Sequence, residues 1–258
     1  MDRTTTPLPP LDLFRRRKTG RPLISGHRGA LRERPENTMP SFARAHELGA
    51  DLVEFDVQRT VDGHLVVLHD STVDRTTSGR GRLCDLTLDQ VRRLDAGGWF
   101  SPAFAGASVP TLAEVLAWMR GRVYPILELK QELGSGLPSL VADVAAALEL
   151  AQMVDHTLVL SFDHPALLAM KERLPGIRTV ITYEGRLVDT VGAARAARAD
   201  AVWPANGFLA REDIETVHRA GLALGCEGST VAQALQFVEW GVDMVEQNDL
   251  ASLVRGLS

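Results

Sequence analysis

Two predicted strands carry charged side chains that could hold a metal ion. Residues 52–57 read Leu-Val-Glu-Phe-Asp-Val, and the alternation of side chains along a strand places Glu54 and Asp56 on the same face. Two acids directed at one point repel each other unless a cation lies between them. Glu128 and Lys130 have the same spacing on a later strand. Glu54 and Asp56 alone are equally compatible with an ordinary polar strand edge, and Glu128 at the same rim favours a metal site.

A predicted hairpin brings a histidine to these acids. The dipeptide Asp62-Gly63 lies between two apolar runs, which is a strong signal for a tight turn. Residues 65–68 are therefore predicted to return antiparallel to the preceding strand. This return places His69 near Glu54 and Asp56, where an imidazole could carry a proton.

A second histidine follows the first predicted strand. Residues 23–25 are apolar and lead into Gly26-His27-Arg28-Gly29. The glycines permit tight turns and close approach of a ligand, and the Arg28 guanidinium presents a fork of donors suited to phosphate oxygens. His27 or His69 taken alone would more often be a structural residue. The position of each beside the predicted site favours a chemical role.

Composition limits the class of protein. The chain has 258 residues, of which 45% are hydrophobic and 24% charged, and its net charge is −5. These values are ordinary for a soluble globular protein and argue against nucleic acid as a partner. The two cysteines fit no metal-ligand or disulfide pattern. Because no segment has the character of a signal peptide or a membrane span, the sequence predicts a cytoplasmic protein without stable membrane insertion, and it leaves the oligomeric state unknown.

Strands and helices alternate along most of the chain, which predicts a parallel sheet of βαβ units. With residues 65–68 taken as a hairpin return, the sequence contains eight parallel strands, the number that closes a (β/α)8 TIM-type barrel. The predicted strands begin at Leu23, Leu52, Ile126, Leu158, Thr179, Ala201, Leu222 and Asp243. A doubly wound open sheet is the alternative, but it requires a glycine-rich phosphate-binding turn that we do not find. In the barrel, the charged residues above all lie at or near the C-terminal ends of strands.

The sequence predicts a single barrel domain at residues 22–258 with two additions. Residues 71–108 are rich in loops and glycine, which predicts a small insertion over the C-terminal rim. Residues 1–21 show no hydrophobic periodicity. They are predicted to form a flexible or loosely docked N-terminal arm.

An ordered set of short motifs runs from residue 27 to residue 162. The motifs are His27-Arg28-Gly29, Pro35-Glu36-Asn37-Thr38, Glu54-x-Asp56, Asp62-Gly63, His69-Asp70, Asp74-Arg75-Thr76-Thr77, Pro110-Thr111-Leu112-x-Glu114, Glu128-x-Lys130 and Ser161-Phe162. In this set the chain resembles the glycerophosphodiester phosphodiesterase family. One motif alone would be weak evidence, whereas the whole set, in order and at these spacings, is highly specific.

The resemblance implies a (β/α)8 barrel and an activity. The expected reaction is metal-dependent hydrolysis of a glycerophosphodiester, a small-molecule substrate, to sn-glycerol 3-phosphate and an alcohol. The resemblance also implies one divalent cation bound by Glu54, Asp56 and Glu128. Carboxylate ligands without cysteine specify a hard ion, Mg²⁺ or Ca²⁺.

The resemblance further assigns roles to four residues at the predicted site. It implies that His27 and His69 are the acid/base pair. It implies that Arg28 and Lys130 bind the substrate phosphate. Further candidates for the pocket are Glu36, Asn37, Phe162 and Trp203.

The chain departs from the family pattern near its end. The family usually has Trp-Thr-x-Asn where this sequence has Cys226-Glu227-Gly228-Ser229, and Thr-Asp-x-Pro where it has Gln247-Asn248-Asp249-Leu250. These changes remove an aromatic wall and add acids near the predicted pocket mouth, with Cys226 and Glu227 as wall candidates. They affect the part of the site expected to meet the substrate's alcohol. Two alternatives therefore stay open, a lysophospholipase D-like activity on lysophospholipids and a barrel that binds a phosphorylated metabolite without turnover.

Overall fold

The protein folds as a closed parallel β-barrel surrounded by helices. The computed structural model describes residues 8–130, 137–205 and 208–257. Over these ranges nine strands form one sheet, in which eight run parallel and one is an antiparallel hairpin partner. The sheet closes because the first strand pairs with both the second and the last. The predicted (β/α)8 TIM-type barrel is confirmed.

The elements follow the predicted alternation. The strands are β1 Leu23–Gly26, β2 Leu52–Arg59, β3 Leu65–Val67, β4 Tyr124–Leu129, β5 Leu158–Ser161, β6 Arg178–Tyr183, β7 Ala201–Pro204, β8 Ala223–Glu227 and β9 Met244–Glu246. The helices are α1 Arg15–Thr19, α2 Met39–Glu47, α3 Leu88–Arg92, α4 Leu112–Met119, α5 Leu137–Leu150, α6 His164–Arg173, α7 Thr190–Ala196, α8 Arg211–Arg219, α9 Val231–Trp240 and α10 Leu250–Gly256. Among the described residues, none of these helices is both long and apolar enough to cross a membrane.

Side-chain alternation along the strands separates the barrel interior from the layer under the helices. Apolar inward positions fill the lower part of the barrel and include Leu23, Leu52, Ile126, Leu158, Val180, Ala201, Ala223 and Met244. Neighbouring positions such as Ile24, Val53 and Val245 pack outward against the helices. Two residues further along each strand, the next inward positions are polar, as at Ser25, Glu54 and Glu246. The strand ends therefore present polar side chains at one mouth of a packed barrel.

The hairpin and the segment that follows it lie beside this mouth. β3 pairs antiparallel with β2, with Val57 opposite Val67. The turn contains Gly63 at φ +86°, a left-handed conformation that glycine adopts at little cost. Residues 71–108 contain α3 and pack around a small apolar cluster that includes Leu83 and Val91.

Part of the N-terminal arm packs against the barrel. Residues 1–7 lie outside the described residues, but residues 8–21 pack under the barrel and include the short helix α1. Leu11 and Leu13 are buried in the same cluster as the lower inward positions of the barrel. Arg15 anchors the helix through an ion pair with Asp51 at 2.9 Å. These two leucines close the barrel floor without forming a periodic pattern, so no signal in the sequence predicted this packing.

Candidate active site

Three carboxylates converge at the C-terminal mouth of the barrel. Glu54 and Asp56 come from β2 and Glu128 from β4, and the pairing of these strands sets Asp56 opposite Glu128. Each residue offers an oxygen that lies within 4.8 Å of oxygens from the other two. All three side chains are buried. The predicted meeting of these acids is thus seen in the fold.

Groups from the first loop hold two of these carboxylates in place. The backbone N–H of Arg28 donates to Glu54 Oε2 at 2.9 Å, and Arg28 adopts φ +50°, which is uncommon for a residue with a side chain. The Asn37 Nδ2 atom donates to Asp56 Oδ2 at 2.7 Å. Asn37 also has a positive φ, +56°. Both unusual conformations occur where the loop contacts the acids.

Two cations partly compensate the acidic cluster. Lys130 Nζ lies 2.9 Å from Asp56 Oδ1 and 2.7 Å from Glu128 Oε1, and Arg28 Nε lies 3.6 Å from Asp56 Oδ2. Burial opposes ionisation of Asp56, but Lys130 and Arg28 outweigh it and lower the Asp56 pKa to about 2. Burial and the charge of Asp56 raise the pKa of Glu128 to about 7. The same two causes raise the pKa of Glu54 well above its ordinary value.

The cluster retains a buried oxygen with no donor. Glu54 Oε1 is excluded from solvent and, within the described residues, has no hydrogen-bond partner. Buried polar atoms are nearly always partnered, and a cation would satisfy this oxygen and reverse the upward pKa shifts of Glu54 and Glu128. Carboxylate oxygens are the ligands that hard divalent ions prefer. The residues present therefore fit a divalent metal ion.

His69 lies on one side of the acids and is oriented by the next residue in the chain. Its Nδ1 atom lies 2.7 Å from Asp70 Oδ1. Because an ionised carboxylate only accepts, Nδ1 carries the proton and Nε2 is the atom left to exchange one. Burial lowers the pKa of His69, and the charge of Asp56 opposes this shift. Gln58 fixes the segment by donating to the carbonyl oxygens of Leu68, His69 and Asp70 at 2.7, 3.1 and 2.8 Å.

An open cavity of about 260 Å³ adjoins His69. Its lining consists of Gln58, His69, Ser71, Glu128, Leu129, Lys130 and Phe162. The Phe162 side chain forms an exposed apolar part of this wall. The cavity therefore has both polar and apolar walls.

His27 lies on the other side of the acids and is held by a residue from the far end of the chain. Its Nδ1 atom lies 2.6 Å from Oδ1 of Asn248, which follows β9. His27 Nε2 lies 3.9 Å from Glu54 Oε2, and Nδ1 lies 3.7 Å from Glu227 Oε1. Burial, assisted by the charge of Arg28, lowers the pKa of His27. His27 and His69 therefore adjoin different members of the carboxylate cluster, His27 next to Glu54 and His69 on the same cavity as Glu128.

Two further acids lie on the His27 side. Glu227 of β8 and Glu246 of β9 are register partners, and Glu246 Oε2 accepts a hydrogen bond from Ser25 Oγ at 2.6 Å. Burial and the neighbouring Glu227 raise the pKa of Glu246 to about 8. Among the described residues, no lysine or arginine forms an ion pair with either acid. This side of the mouth is therefore richer in uncompensated acid than the His69 side.

Comparison with known proteins agrees with this geometry. The model of the glycerophosphoryl diester phosphodiesterase family matches residues 27–250, a range that contains both histidines, the three carboxylates, Arg28 and Lys130. The chain belongs to this family. It is accordingly an enzyme, a hydrolase of glycerophosphodiesters.

Individual relatives cover most of the chain. A glycerophosphodiester phosphodiesterase from Caldanaerobacter subterraneus is 36% identical over 78% of this chain and 83% of its own length. One from Bacillus subtilis is 30% identical over 88% of this chain and 83% of its own. The crystal structure of the Agrobacterium tumefaciens glycerophosphodiester phosphodiesterase is 30% identical, with a TM-score of 0.79 over 91% of this chain and 100% of its own. An Oleispira antarctica phosphodiesterase shares the fold, with 24% identity and a TM-score of 0.83 over 93% of this chain and 98% of its own.

The candidate pocket residues of this family member fall into three groups. Phe162 lines the cavity beside His69. Glu36 and Asn37 instead contact other site residues, because Glu36 Oε1 accepts from Arg28 Nη1 at 2.8 Å and Asn37 binds Asp56. Trp203 is only 4% exposed and packs in the barrel interior over Gly225, where a Cβ atom would lie 2.2 Å from the indole. Trp203 therefore fills the barrel.

The structure corrects the interpretation of Cys226 as a candidate for the pocket wall. Its side chain is fully buried in the outward apolar layer under the helices, because it lies one position before the inward-facing Glu227 on β8. Glu227, the other wall candidate, is at the mouth, 3.7 Å from His27. The alternation along a strand would have separated these two neighbours if the register of β8 had been known.

Five residues in the functional site were not assigned a role from the sequence. They are Gln58, Asp70, Arg75, Glu246 and Asn248. Asp70, Arg75 and Asn248 belonged to segments compared with the family pattern, and Gln58 follows Glu54 and Asp56 at the same strand spacing of two, so these four had a signal. Glu246 had none, and the partners of Glu246 and Asn248, Ser25 and His27, are both 221 positions away in the sequence.

Proposed function

We propose that the protein hydrolyses a glycerophosphodiester with water to sn-glycerol 3-phosphate and an alcohol, with the help of one divalent metal ion and two histidines. The proposal rests on one observation: three buried carboxylates meet beside two imidazoles, with His27 next to Glu54 and His69 on the same cavity as Glu128. A site that only binds phosphate has no need of two oriented proton carriers. The Oleispira antarctica phosphodiesterase that shares the fold was solved with the product sn-glycerol-3-phosphate bound, which supports the choice of product.

Glu54, Asp56 and Glu128 would hold the ion, Mg²⁺ or Ca²⁺. The unpartnered Glu54 Oε1 and the all-oxygen donor set support this assignment. When bound, such an ion neutralises the phosphodiester anion and polarises its P–O bonds. Arg28 and Asn37 hold Glu54 and Asp56 by hydrogen bonds, so these two carboxylates would need little rearrangement to bind the ion.

The chain's own residues supply the remaining chemistry. Arg28 and Lys130 place fixed positive charge where negative charge develops on the phosphate oxygens. Lys130 bridges Asp56 and Glu128; with these acids holding an ion, its flexible stem would let the ammonium turn to a phosphate oxygen. One histidine accepts the proton of the attacking hydroxyl and the other gives a proton to the leaving alcohol. General acid–base help of this kind is worth about 10²–10⁴-fold in rate.

The test is a hydrolysis panel of glycerophosphodiesters with different head groups, run with Mg²⁺, Ca²⁺ or a chelator. We expect turnover with a divalent ion, none with the chelator, and loss of turnover in His27→Ala, His69→Ala and Glu54→Ala. Glu149→Gln, a change at an exposed position on α5, is the control that keeps full activity. Full activity in all three site variants, or hydrolysis that persists in chelator, would disprove the proposal.

The same panel decides between the remaining alternatives. Choline release is compared for glycerophosphocholine and lysophosphatidylcholine, and we expect the former to be the better substrate. A preference for lysophosphatidylcholine would identify a lysophospholipase D-like enzyme. Equilibrium binding of glycerol phosphate without hydrolysis of any diester would identify a binding protein.

A further inference from the structure

A single guanidinium outside the catalytic set joins two carboxylates at the barrel mouth. Arg75, from the segment that follows the hairpin, donates from Nε to Asp70 Oδ2 at 2.7 Å and from Nη2 to Asp70 Oδ1 at 2.9 Å. It also donates to Glu36, from Nη1 to Oε2 and from Nη2 to Oε1, both at 2.8 Å. Both contacts are bidentate, a geometry that the planar arginine fork provides and lysine does not.

Each of these carboxylates in turn holds a group of the proposed active site. Asp70 Oδ1 accepts from His69 Nδ1 at 2.7 Å. Glu36 Oε1 accepts from Arg28 Nη1 at 2.8 Å. Arg75 therefore completes a continuous chain of charge-assisted hydrogen bonds that runs from His69 to Arg28. The two ends of this chain come from different loops, one after β3 and one after β1.

We propose that Arg75 is a positioning residue that couples the orientation of His69 to that of Arg28, through Asp70 and Glu36. The proposal rests on the proposed function, in which His69 transfers a proton and Arg28 binds the phosphate. Arg75 need not touch the substrate in this role. Its effect is to hold the proton carrier and the phosphate-binding group in one fixed relation.

The electrostatics of the two carboxylates agree with this role. The hydrogen bond from Arg75 is the largest cause that lowers the pKa of Asp70 far below its ordinary value. For Glu36, burial acts in the opposite direction, but Arg75 and Arg28 together lower the pKa. Arg75 thus keeps both carboxylates ionised and able only to accept hydrogen bonds. An ionised Asp70 keeps the His69 proton on Nδ1 and leaves Nε2 for the reaction.

Loss of this bridge is expected to reduce rate more than binding. Small errors in the placement of a reacting group cost about 10²-fold in rate, and partners that orient active-site ligands are typically worth about 10–100-fold. We therefore expect Arg75→Ala to lower kcat by about 10–100-fold and to change KM by less than about 3-fold. Arg75→Lys should recover only part of the loss, because an ammonium cannot hold both carboxylates in the forked geometry.

The chain offers a matched control in the same segment. Arg92 also makes a bidentate contact to a carboxylate, with both bonds to Glu114 at 2.7 Å. The side chains are similarly exposed, 44% for Arg75 and 39% for Arg92. Arg92→Ala thus removes an equivalent ion pair away from the site. It is expected to keep wild-type kcat, so a loss of kcat in both variants, together with lowered melting temperatures, would assign Arg75 a structural role only.

A second measurement separates this proposal from the proposed function. In the metal-free protein, the Nδ1–H proton of His69 is followed by NMR and assigned by its absence in His69→Ala. We expect this signal in the wild type and in Arg92→Ala, and its loss or broadening in Arg75→Ala. If the wild type hydrolyses no diester, the proposed function fails, and the NMR result still shows whether Arg75 orders His69. If the wild type is active and Arg75→Ala keeps both its kcat and the His69 signal, or if only KM rises, the positioning role is overturned.

Discussion

The two histidines at the barrel mouth are held in opposite ways. His69 is bound by the carboxylate of its sequence neighbour Asp70, whereas His27 is bound by the neutral amide of Asn248 from the far end of the chain. The acids near His69 are compensated by Lys130, while Glu227 and Glu246 near His27 face no cation pair among the described residues. The His69 side also opens into a cavity of about 260 Å³. The His69 side of the site thus has acids paired with a cation, and the residue that holds His69 is its neighbour in the sequence. The His27 side has acids without such a pair, and its residues come together only when the barrel closes. We call this second side the acidic half.

This difference suggests different tasks for the two imidazoles. The cavity beside His69 can receive a departing alcohol, and the ionised Asp70 stabilises a protonated His69. Within the proposed function, we therefore expect His69 to donate a proton to the leaving group and His27 to accept one from the attacking hydroxyl. This expectation is tested by replacing each histidine and comparing the rates on substrates with different leaving groups.

The largest effects are expected for the histidines themselves. With a natural alcohol as leaving group, His27→Ala and His69→Ala should each lower kcat by about 10²–10⁴-fold. With glycerophospho-p-nitrophenol, whose leaving group departs without a proton, His69→Ala should lose much less activity and His27→Ala should lose as much as before. Steady-state rates on both substrates check this. The reverse pattern would exchange the two roles, and equal losses on both substrates would remove the distinction.

The partners of the histidines come next in expected effect. Asp70→Asn should lower kcat by about 10²-fold and Asn248→Ala by about 10-fold, because a carboxylate both orients and stabilises an imidazolium while an amide only orients it. Asn248→Asp serves as the control. It keeps an oxygen acceptor, and its negative charge favours protonated His27, so the pH-rate limb set by His27 should move to higher pH. A larger loss of kcat in Asn248→Ala than in Asp70→Asn would show that His27 depends on its partner more than His69 does, contrary to this expectation.

The contrast between these halves also explains what the sequence could predict. The strand pair Glu54 and Asp56 and the hairpin that delivers His69 are local patterns, so alternation and turn chemistry were sufficient. The eight-strand count gave the barrel, and with it the meeting of Glu128 with Asp56. The bond from Asn248 to His27 requires the register of β9 against β1, which no short-range signal encodes. The docking of Leu11 and Leu13 under the barrel was missed for a similar reason, since it depends on a floor that exists only after closure.

The smallest predicted effect concerns Glu246, on the acidic half of the mouth, and the free energy of unfolding of the protein. Burial and Glu227 raise the pKa of Glu246 from 4.5 to about 8. Between these values the folded state holds a proton that the unfolded state releases, so Glu246 increasingly destabilises the fold as pH rises. In chelator, the free energy of unfolding of Glu246→Gln should exceed that of the wild type by an amount that grows from about pH 5 to pH 8. One pKa unit corresponds to about 1.4 kcal/mol, so the gain should reach a few kcal/mol.

Denaturant unfolding at several pH values measures this gain, with Glu149→Gln on the exposed surface of α5 as the control. Glutamine retains an oxygen that can accept the bond from Ser25, so packing and hydrogen bonding are preserved. A constant difference between Glu246→Gln and the wild type across this pH range would show that Glu246 is not held neutral.

The central claim is that Glu54, Asp56 and Glu128 bind one divalent ion between the two histidines. The most direct measurement is anomalous diffraction from crystals of the stripped protein soaked in Mn²⁺, collected for the wild type and for Glu128→Gln. We expect one strong peak at about 2.0–2.6 Å from an oxygen of each of the three carboxylates, and its loss or marked weakening in the variant. No peak at this position in the wild type, or an equally strong peak in Glu128→Gln, would contradict the account.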